Sequence, residues 1–392
     1  MYPNLYYLIK DIFGISIPPL KVVNMFGLCV AISFLAAAWL LVKELKRRQA
    51  SGIFTFEEKK ITVGAPATTG ELALNFFLGF VLGFKLLGIF ITPGALSDPQ
   101  SFIFSGQGSW LTGILTGGLF AYLKWHEKNK VKLAKPEERT IRIWPSDRVG
   151  DMTIIAAIAG FAGAKVFDNL ENWDRFIQDP IGNLFSPSGL TFYGGLICAA
   201  AALWYYFRKH NMRFIDVADA ISPALMAAYG LGRIGCQVAG DGDWGIANTR
   251  PKPFSWLPDW MWAYDYPHNV IKEDTPLLNC TWNDYCNHLA HPVFPTPFYE
   301  IIMALLLAFF LWRIRKKINI AGRLFGIYLF VNGVERLLIE QIRVNTKYNI
   351  FGFHPTQAEI IATLLIISGV VLYFQAPKWF GKKVNQPLNV NS

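Results

Sequence analysis

Apolar segments of roughly membrane-spanning length recur about nine times along this chain. They cover residues 22–42, 72–92, 110–125, 152–167, 190–207, 217–235, 298–312, 324–339 and 356–374. A helix needs about 20 mostly apolar residues to cross the hydrocarbon core of a bilayer. Because segments of this length predict spanning helices, which satisfy their own backbone hydrogen bonds in lipid, we predict an all-α polytopic membrane protein. It has about nine transmembrane helices and an irregular periplasmic head.

The distribution of charge agrees with a membrane protein and gives it an orientation. Only 17% of the residues are charged, whereas soluble proteins carry about a quarter. The net charge of +9 comes largely from Lys and Arg in alternate loops, at 43–60, 124–148, 208–213, 313–323 and 378–383. Such loops are cytoplasmic in membrane proteins. We therefore expect a periplasmic N-terminus, a cytoplasmic C-terminus and no nucleic-acid partner.

Five parts of the chain follow from these segments. They are an N-terminal interfacial segment with the first transmembrane helix (1–43), an inserted two-helix repeat with basic cytoplasmic loops (44–147), the transmembrane helices of the core (148–235), a periplasmic head (236–295), and the C-terminal transmembrane helices with a basic cytoplasmic tail (296–392). Residues 1–20 carry neither a basic region before an apolar run nor a small-residue cleavage site, so they do not predict a signal peptide.

An internal repeat links the second and third parts. The blocks around Lys85 and Lys165, each two residues after a glycine, are followed by Asp-Pro pairs at Asp98 and Asp179. Each copy predicts a two-helix hairpin with an outer loop, although chance similarity between apolar helices is the alternative. Only the second copy has aromatic residues before its glycines, at 192–193, so we expect the chemistry there.

Residues 229–245 combine an arginine, several glycines and two aspartates at the end of an apolar segment. A guanidinium in lipid costs several kcal/mol unless it is paired or hydrated. Glycine permits a break in the helix and the close approach of a ligand, and broken backbone at membrane depth lines a cavity or is buried in protein. Arg233 is therefore either a cation in an anion-binding pocket or a side chain that extends to the interface.

A second group of charges lies in the eighth apolar segment. Asn332, Arg336, Glu340 and Arg343 follow at helical spacing, so they share one face of a helix. If that face meets Arg233, two guanidiniums converge, an arrangement that suits phosphate because each can bind two of its oxygens. The alternative is an inward stripe of salt bridges without chemistry.

The predicted head contains cysteines but no sign of a cofactor site. Cys280 and Cys286 face an oxidising compartment, which favours a small disulfide. Cys236 is close enough in sequence to leave the pairing open. Neither metal-ligand spacing nor a nucleotide-binding motif is present, so no metal or other cofactor is expected.

Several blocks resemble the prolipoprotein diacylglyceryl transferase family. Residues 232–235 (Gly-Arg-Ile-Gly), leading to Gly240 and Trp244-Gly245, are similar to its signature. Four further blocks follow the family's order, at 26–28, 189–196, 295–300 and 333–343. The resemblance covers the first helix and most of 148–374, and 43–147 looks like an insertion.

That resemblance implies an enzyme of the bacterial inner membrane. Members of the family transfer the diacylglyceryl group of phosphatidylglycerol to the lipobox cysteine of a preprolipoprotein and release glycerol phosphate. The implied partners are phosphatidylglycerol, the lipobox segment and the lipid bilayer. The rival hypotheses are a lipid transporter or flippase, and a phospholipid- or lipoprotein-binding protein without catalysis.

The resemblance also assigns roles to individual residues. The implied catalytic residues are Arg233, Arg336, Tyr193 and Glu340. The implied substrate-binding residues are Arg233, Arg336, Asp241, Asp243, Gly194, Gly195, Tyr299, Glu300 and Arg343. Tyr193 stands where the family has a histidine, so the identity of the general base is open; Cys236 and Ala239 stand in place of asparagines.

Overall fold

The computed structural model describes residues 1–96, 99–186, 189, 191–272, 275–282, 284–349 and 352–381. Asp98 of the predicted repeat, Leu190 of the block at 189–196, and the tail beyond residue 381 lie outside the described residues. The predicted all-α class is confirmed, because nearly all of the regular structure is helical.

The elements are numbered in chain order. The helices are α1 (Leu5–Phe13), α2 (Met25–Ala50), α3 (Thr69–Leu82), α4 (Gly88–Ile91), α5 (Pro99–Phe104), α6 (Trp110–Lys130), α7 (Val149–Glu171), α8 (Trp173–Gln178), α9 (Pro180–Phe185), α10 (Phe192–Lys209), α11 (Phe214–Ala239), α12 (Thr296–Ile314), α13 (Arg323–Glu340) and α14 (Gln357–Phe380). The strands are β1 (Glu57–Val63), β2 (Glu137–Ile143), β3 (Thr275–Pro276) and β4 (Asn287–His288). A π-helical turn, Gly83–Leu87, joins α3 to α4.

Six helices of the described residues are long and apolar enough to cross a membrane. They are Met25–Ala50, Thr69–Ile91, Pro145–Glu171, Phe214–Ala239, Thr296–Ile314 and Gln357–Phe380. The other three predicted segments are also helical, as α6, α10 and α13, but are more polar. In α13, for example, Arg323, Glu335, Arg336 and Glu340 all fall within 18 residues. The protein is thus polytopic, and the predicted number of nine spans is not confirmed by length and composition.

The chain forms two compact units. One contains Met1–Thr55, Pro145–Gly150 and the described residues from Phe207 onward; the other contains Phe56–Trp144 and Asp151–Tyr206. We call them the core unit and the hairpin unit. The boundary predicted at residues 43–44 falls inside α2, which continues to Ala50.

The hairpin unit contains the described residues of both copies of the predicted repeat, apart from Gly150. A methyl group added at Gly79 of α3 would lie 2.7 Å from the Thr116 carbonyl of α6, and one added at Gly195 of α10 would lie 2.8 Å from the Gly160 carbonyl of α7. Small residues thus bring each helix pair into close contact, as is common in membranes. Lys85 donates hydrogen bonds to carbonyls of its outer loop, and Lys165 donates one to Gly189.

The core unit is built around α11, the most buried of the six candidate spans. Helices α2, α12 and α13 pack against α11, and α14 packs against α13. Glycines again set the spacing: a methyl group at Gly369 of α14 would lie 2.6 Å from the Gly326 carbonyl of α13, and one at Gly235 of α11 would lie 3.1 Å from Phe26 of α2. This packing directs the polar residues of α11, α12 and α13 toward each other.

A buried ionic cluster, which the sequence pattern did not predict, joins the ends of helices in the core unit. Glu44 has no exposed surface and accepts 2.9 Å hydrogen bonds from Arg48 and Arg315. Asp219, near the start of α11, accepts hydrogen bonds of 2.8 and 2.7 Å from the Gly322 and Phe325 amides at the start of α13. The cluster therefore fixes the helix ends opposite to those that carry Arg233 and Arg336.

The head between α11 and α12 has little regular structure, as predicted. Cys280 and Cys286 form a disulfide, and Cys236 is a free buried thiol, which resolves the pairing left open by the sequence. Trp282, inside the disulfide loop, stacks between Tyr7 of α1 and His268, with ring centroids 4.0 and 3.8 Å apart. The N-terminal helix is thus attached to the head through aromatic stacking.

Candidate active site

Arg233 lies in the last turns of α11 and is paired with two carboxylates. Its Nε atom is 3.0 Å from Glu300 Oε2, and its Nη1 atom contacts the Asp243 carboxylate. The guanidinium also lies over the Tyr229 ring, 5.3 Å from its centroid. Only 14% of the side chain is exposed. Arg233 is therefore held inside a polar cluster and does not extend into solvent.

Glu300, in the first turns of α12, is the centre of this cluster. Its side chain has no exposed surface. Arg336 Nη1 of α13 lies 3.5 Å from Oε1, and Arg343 Nη1, just after α13, lies 3.6 Å from the same oxygen. Together with Arg233, three guanidiniums from two parts of the chain meet around one buried carboxylate. We call these four side chains the arginine cluster.

Glu340 holds Arg336 from the other side. Arg336 Nη2 is 3.2 Å from Glu340 Oε2, and the glutamate is 5% exposed. Its Oε1 atom accepts hydrogen bonds of 2.6 Å from both Thr356 Oγ1 and Asn345 Nδ2. Thr356 is the N-cap of α14, so the start of that helix helps to orient Glu340 and, through it, Arg336.

Asp243 brings the loop after α11 into the arginine cluster. Its Oδ1 accepts a 2.6 Å hydrogen bond from Arg343 Nη2, and its Oδ2 contacts Arg233. Burial disfavours the charged carboxylate, but Arg233 and Arg343 outweigh burial and lower the pKa of Asp243 to about 2. The loop reverses through Gly240 and Gly242, whose φ values of 64° and 96° favour glycine.

Asp241 lies at the edge of the same loop. Burial raises the pKa of its carboxyl above the ordinary value. Its Oδ1 accepts a hydrogen bond from the Asp243 amide. Ligand atoms of Cys236, Asp241 and Asp243 lie within 4.8 Å of one another, a spacing that a metal ion accepts. Both Asp243 oxygens are engaged by arginines, however, so ion pairing already accounts for its position.

The remaining predicted site residues occupy different places. Tyr299 donates a 2.8 Å hydrogen bond to the Met261 carbonyl in the head. Tyr193, Gly194 and Gly195 begin α10 in the hairpin unit. A methyl group at Gly194 would approach the Gly163 carbonyl to 2.8 Å, so both glycines permit close helix packing. Their predicted roles in substrate binding and proton transfer stay predictions.

Two further residues, neither of them among the predicted site residues, contact Glu300 or lie close to it. Tyr229 Oη lies 3.0 Å from Glu300 Oε1 and 3.5 Å from Glu335 Oε1. Glu335 is only 3% exposed. Tyr229 is one helical turn before Arg233, a spacing that places both on one face of α11 and gives a usable signal. Glu335 is adjacent to Arg336, so the four-residue spacing of the other polar residues does not select it.

Known proteins match this chain over most of its length. The family model described as "Prolipoprotein diacylglyceryl transferase" matches residues 109–375. A Clostridium tetani protein named phosphatidylglycerol--prolipoprotein diacylglyceryl transferase is 26% identical over 232 residues, which are 59% of this chain and 82% of that protein.

Two further proteins of that name show the same level of similarity. One, from Leptospira interrogans, is 27% identical over 60% of this chain and 81% of its own length; one from Vibrio vulnificus is 27% identical over 60% and 77%. Because the family model covers well over half of the residues, this chain belongs to the prolipoprotein diacylglyceryl transferase family.

Proposed function

We propose that this protein transfers the diacylglyceryl group of phosphatidylglycerol to the lipobox cysteine of prolipoproteins, the first step of lipoprotein maturation. The observation that carries the proposal is the convergence of Arg233, Arg336 and Arg343 around Glu300 inside a bundle of apolar helices. Family membership and the names of the relatives support the same reaction.

The chemistry of this reaction needs such a cluster. The sulfur of the substrate cysteine attacks the carbon of the diacylglyceryl group that bears the phosphate. A C–S bond forms, and the bond from that carbon to the phosphate oxygen breaks, leaving its electron pair on the oxygen. The thiol proton passes through a carrier group to the released phosphate monoester or to water. Because the charge on the leaving phosphate grows in the transition state, fixed cations in a water-poor site accelerate the step.

The geometry supports a distinct role for each member of the cluster. Arg233 and Arg336 are the proposed phosphate ligands. Their guanidiniums meet at Glu300, and both side chains are largely buried. Glu340 positions Arg336. Arg343 and Asp243 close the site on the side of the head, with Asp241 beside them. Asp243 supplies the anion that Arg233 and Arg343 share, and the lipid phosphate replaces it at Arg233.

Tyr193 is proposed as the proton carrier, with Gly194 and Gly195 beside it at the start of α10. The Tyr193 hydroxyl stands in place of the family's histidine as the group that would carry the thiol proton. Tyr299 and Glu300 shape the site from α12. The proposed orientation has the N-terminus in the periplasm and the C-terminus in the cytoplasm, which places the cluster at the outer leaflet.

A direct transfer assay tests the proposal. Purified protein in detergent is incubated with phosphatidylglycerol and a peptide that contains a lipobox cysteine, and the peptide is weighed by mass spectrometry. We expect a mass increase of one diacylglyceryl group and release of glycerol phosphate. A peptide with serine in place of that cysteine is the matched control and is expected to stay unmodified.

Phosphatidylethanolamine replaces phosphatidylglycerol in a second control. In the assay with phosphatidylglycerol, a cysteine peptide that stays unmodified although the lipid binds saturably would overturn the catalytic proposal in favour of a lipid-binding protein. Movement of labelled lipid between leaflets of a vesicle, without peptide modification, would favour a flippase.

A further inference from the structure

Tyr229 and Glu335 extend the arginine cluster into the helix bundle. Tyr229 belongs to α11 and Glu335 to α13, and the phenol oxygen lies between two carboxyl groups, 3.0 Å from Glu300 and 3.5 Å from Glu335. All three side chains are largely or fully buried. The resemblance assigns no role to either Tyr229 or Glu335.

The single proton of the Tyr229 phenol cannot serve both Glu300 and Glu335 if both carboxyl groups are ionised. A phenol has one proton to donate, and its oxygen accepts hydrogen bonds as well. An ionised carboxylate only accepts. If Tyr229 donates to Glu300, the nearer carboxylate, then an ionised Glu335 receives no hydrogen from the phenol. A protonated Glu335 donates to the phenol oxygen, and both contacts are then satisfied.

The charges around Glu335 favour its neutral form. Among the described residues it has no ion-pair partner within 4.0 Å. The charged groups that face it are Glu300 from α12, Arg233 from α11 and Arg336 from its own helix, and both arginines are already paired with Glu300. An unpaired buried charge is costly, and such a group neutralises instead.

We infer that Glu335 is held in its protonated form and acts as a positioning residue. Glu335 donates to Tyr229, Tyr229 donates to Glu300, and Glu300 is thereby held as the carboxylate that fixes the three guanidiniums. Neither Glu335 nor Tyr229 touches the substrate; their effect on lipid binding passes through Glu300. This inference rests on the proposed function for its kinetic test but not for its spectroscopic one.

Glutamine at position 335 separates this role from the alternatives. The amide of Gln has nearly the shape of a protonated carboxyl, donates a hydrogen bond and never ionises. We expect Glu335→Gln to keep the KM for phosphatidylglycerol within about twofold of the native protein. Glu335→Ala and Tyr229→Phe, which remove the donor, are expected to raise that KM about tenfold, with a smaller change in kcat.

Leu338→Ala is the matched control, because Leu338 lies on the same helix and is 61% exposed; its KM is expected to stay unchanged. Thermal unfolding in detergent confirms that each variant is folded. A Glu335→Gln protein whose KM rises as much as that of Glu335→Ala would overturn the inference, as would a Tyr229→Phe protein with native KM.

Infrared spectroscopy tests the protonation state without any assay of transfer. A protonated carboxylic acid has a carbonyl stretch that is distinct from the bands of a carboxylate. We expect this band in the native protein at neutral pH to lose intensity in Glu335→Gln and to stay unchanged in Leu338→Ala. An identical band in the native and Gln proteins would show that Glu335 is ionised and overturn the inference, even if the native protein transferred no lipid.

Discussion

Arg343, just beyond the end of α13, donates a 2.6 Å hydrogen bond to Asp243, which lies 100 residues earlier in the chain. The same carboxylate contacts Arg233 through its other oxygen. One side chain of the head loop thus joins α11 to the segment after α13. This link connects the stability of the site to the ionisation of Asp243.

The pH dependence of stability tests this link. Because the folded-state pKa of Asp243 is lowered from 3.8 to about 2, its contribution is fully present above about pH 4 and is lost as the pH falls toward 2. We expect Asp243→Asn to lower the unfolding temperature at about pH 6 and to have a smaller effect at about pH 3. Thermal unfolding in detergent at both pH values measures this; an equal deficit at both would show that the ion pairs do not stabilise the fold.

Arg336 is the sharpest test of phosphate binding. Arg336→Lys keeps a positive charge but loses the planar donors that contact both Glu300 and Glu340. We expect kcat/KM for the transfer to fall about 100-fold, as for the loss of one fixed donor in a charged transition state. Arg336→Ala and Arg233→Ala are expected to abolish transfer.

Arg250→Ala is the matched control for the arginine variants, because Arg250 is an exposed residue of the head. It is expected to transfer lipid at the native rate. Native activity in Arg233→Ala would contradict the role given to the cluster.

Tyr193→Phe tests the proton carrier. We expect kcat to fall about 100-fold, within the range of general acid–base catalysis, and Tyr193→His to recover part of the loss, because the family has a histidine at this position. Tyr205→Phe, in the same helix and 67% exposed, is expected to be neutral. Unchanged transfer by Tyr193→Phe would remove Tyr193 from the mechanism.

The disulfide of the head is expected to stabilise the attachment of the N-terminal helix. It closes a short loop, Cys280 to Cys286, with a sequence separation of 6, which corresponds to about 2 kcal/mol in the loop-entropy model. We expect the double variant Cys280→Ser and Cys286→Ser to unfold at a lower temperature and to change the fluorescence of Trp282, which stacks on Tyr7. An unfolding temperature equal to that of the native protein would show that aromatic stacking alone holds the N-terminal helix to the head.

Close packing of α13 on α14 is expected to be intolerant of an added methyl group. In Gly369→Ala the methyl would lie 2.6 Å from the Gly326 carbonyl and 2.7 Å from the Phe330 amide, and backbone atoms cannot yield without moving a helix. We expect a loss of about 1–3 kcal/mol in stability together with lower activity, because α14 orients Glu340. Gly118→Ala, with nothing within 4 Å of the new methyl, is the control.

Much of the fold could be predicted because hydrophobic length is a local property. Among the described residues, each of the nine apolar segments contains a helix, and the polytopic class follows from them. The number of spans was harder to predict. Helices α6, α10 and α13 are more polar than the six candidate spans, and α13 carries charges that a buried helix tolerates only when their partners are in place. The ionic cluster of Glu44, Arg48 and Arg315 could not be predicted either, because it depends on charged side chains from different helices meeting in the fold.

The arginines of the site were visible in the sequence, because cations inside apolar segments are rare and costly. The sequence did not show that Glu300 is the carboxylate they share or that Asp243 bridges two of them. It offered the Cys280–Cys286 disulfide but left the pairing open. The contacts of Glu300 and Asp243 join residues far apart in sequence, and they depend on glycine-spaced packing between helices. The disulfide lies within an irregular loop of the head. Neighbouring residues encode helices and burial, whereas the meeting of side chains from different helices depends on how closely the backbones approach.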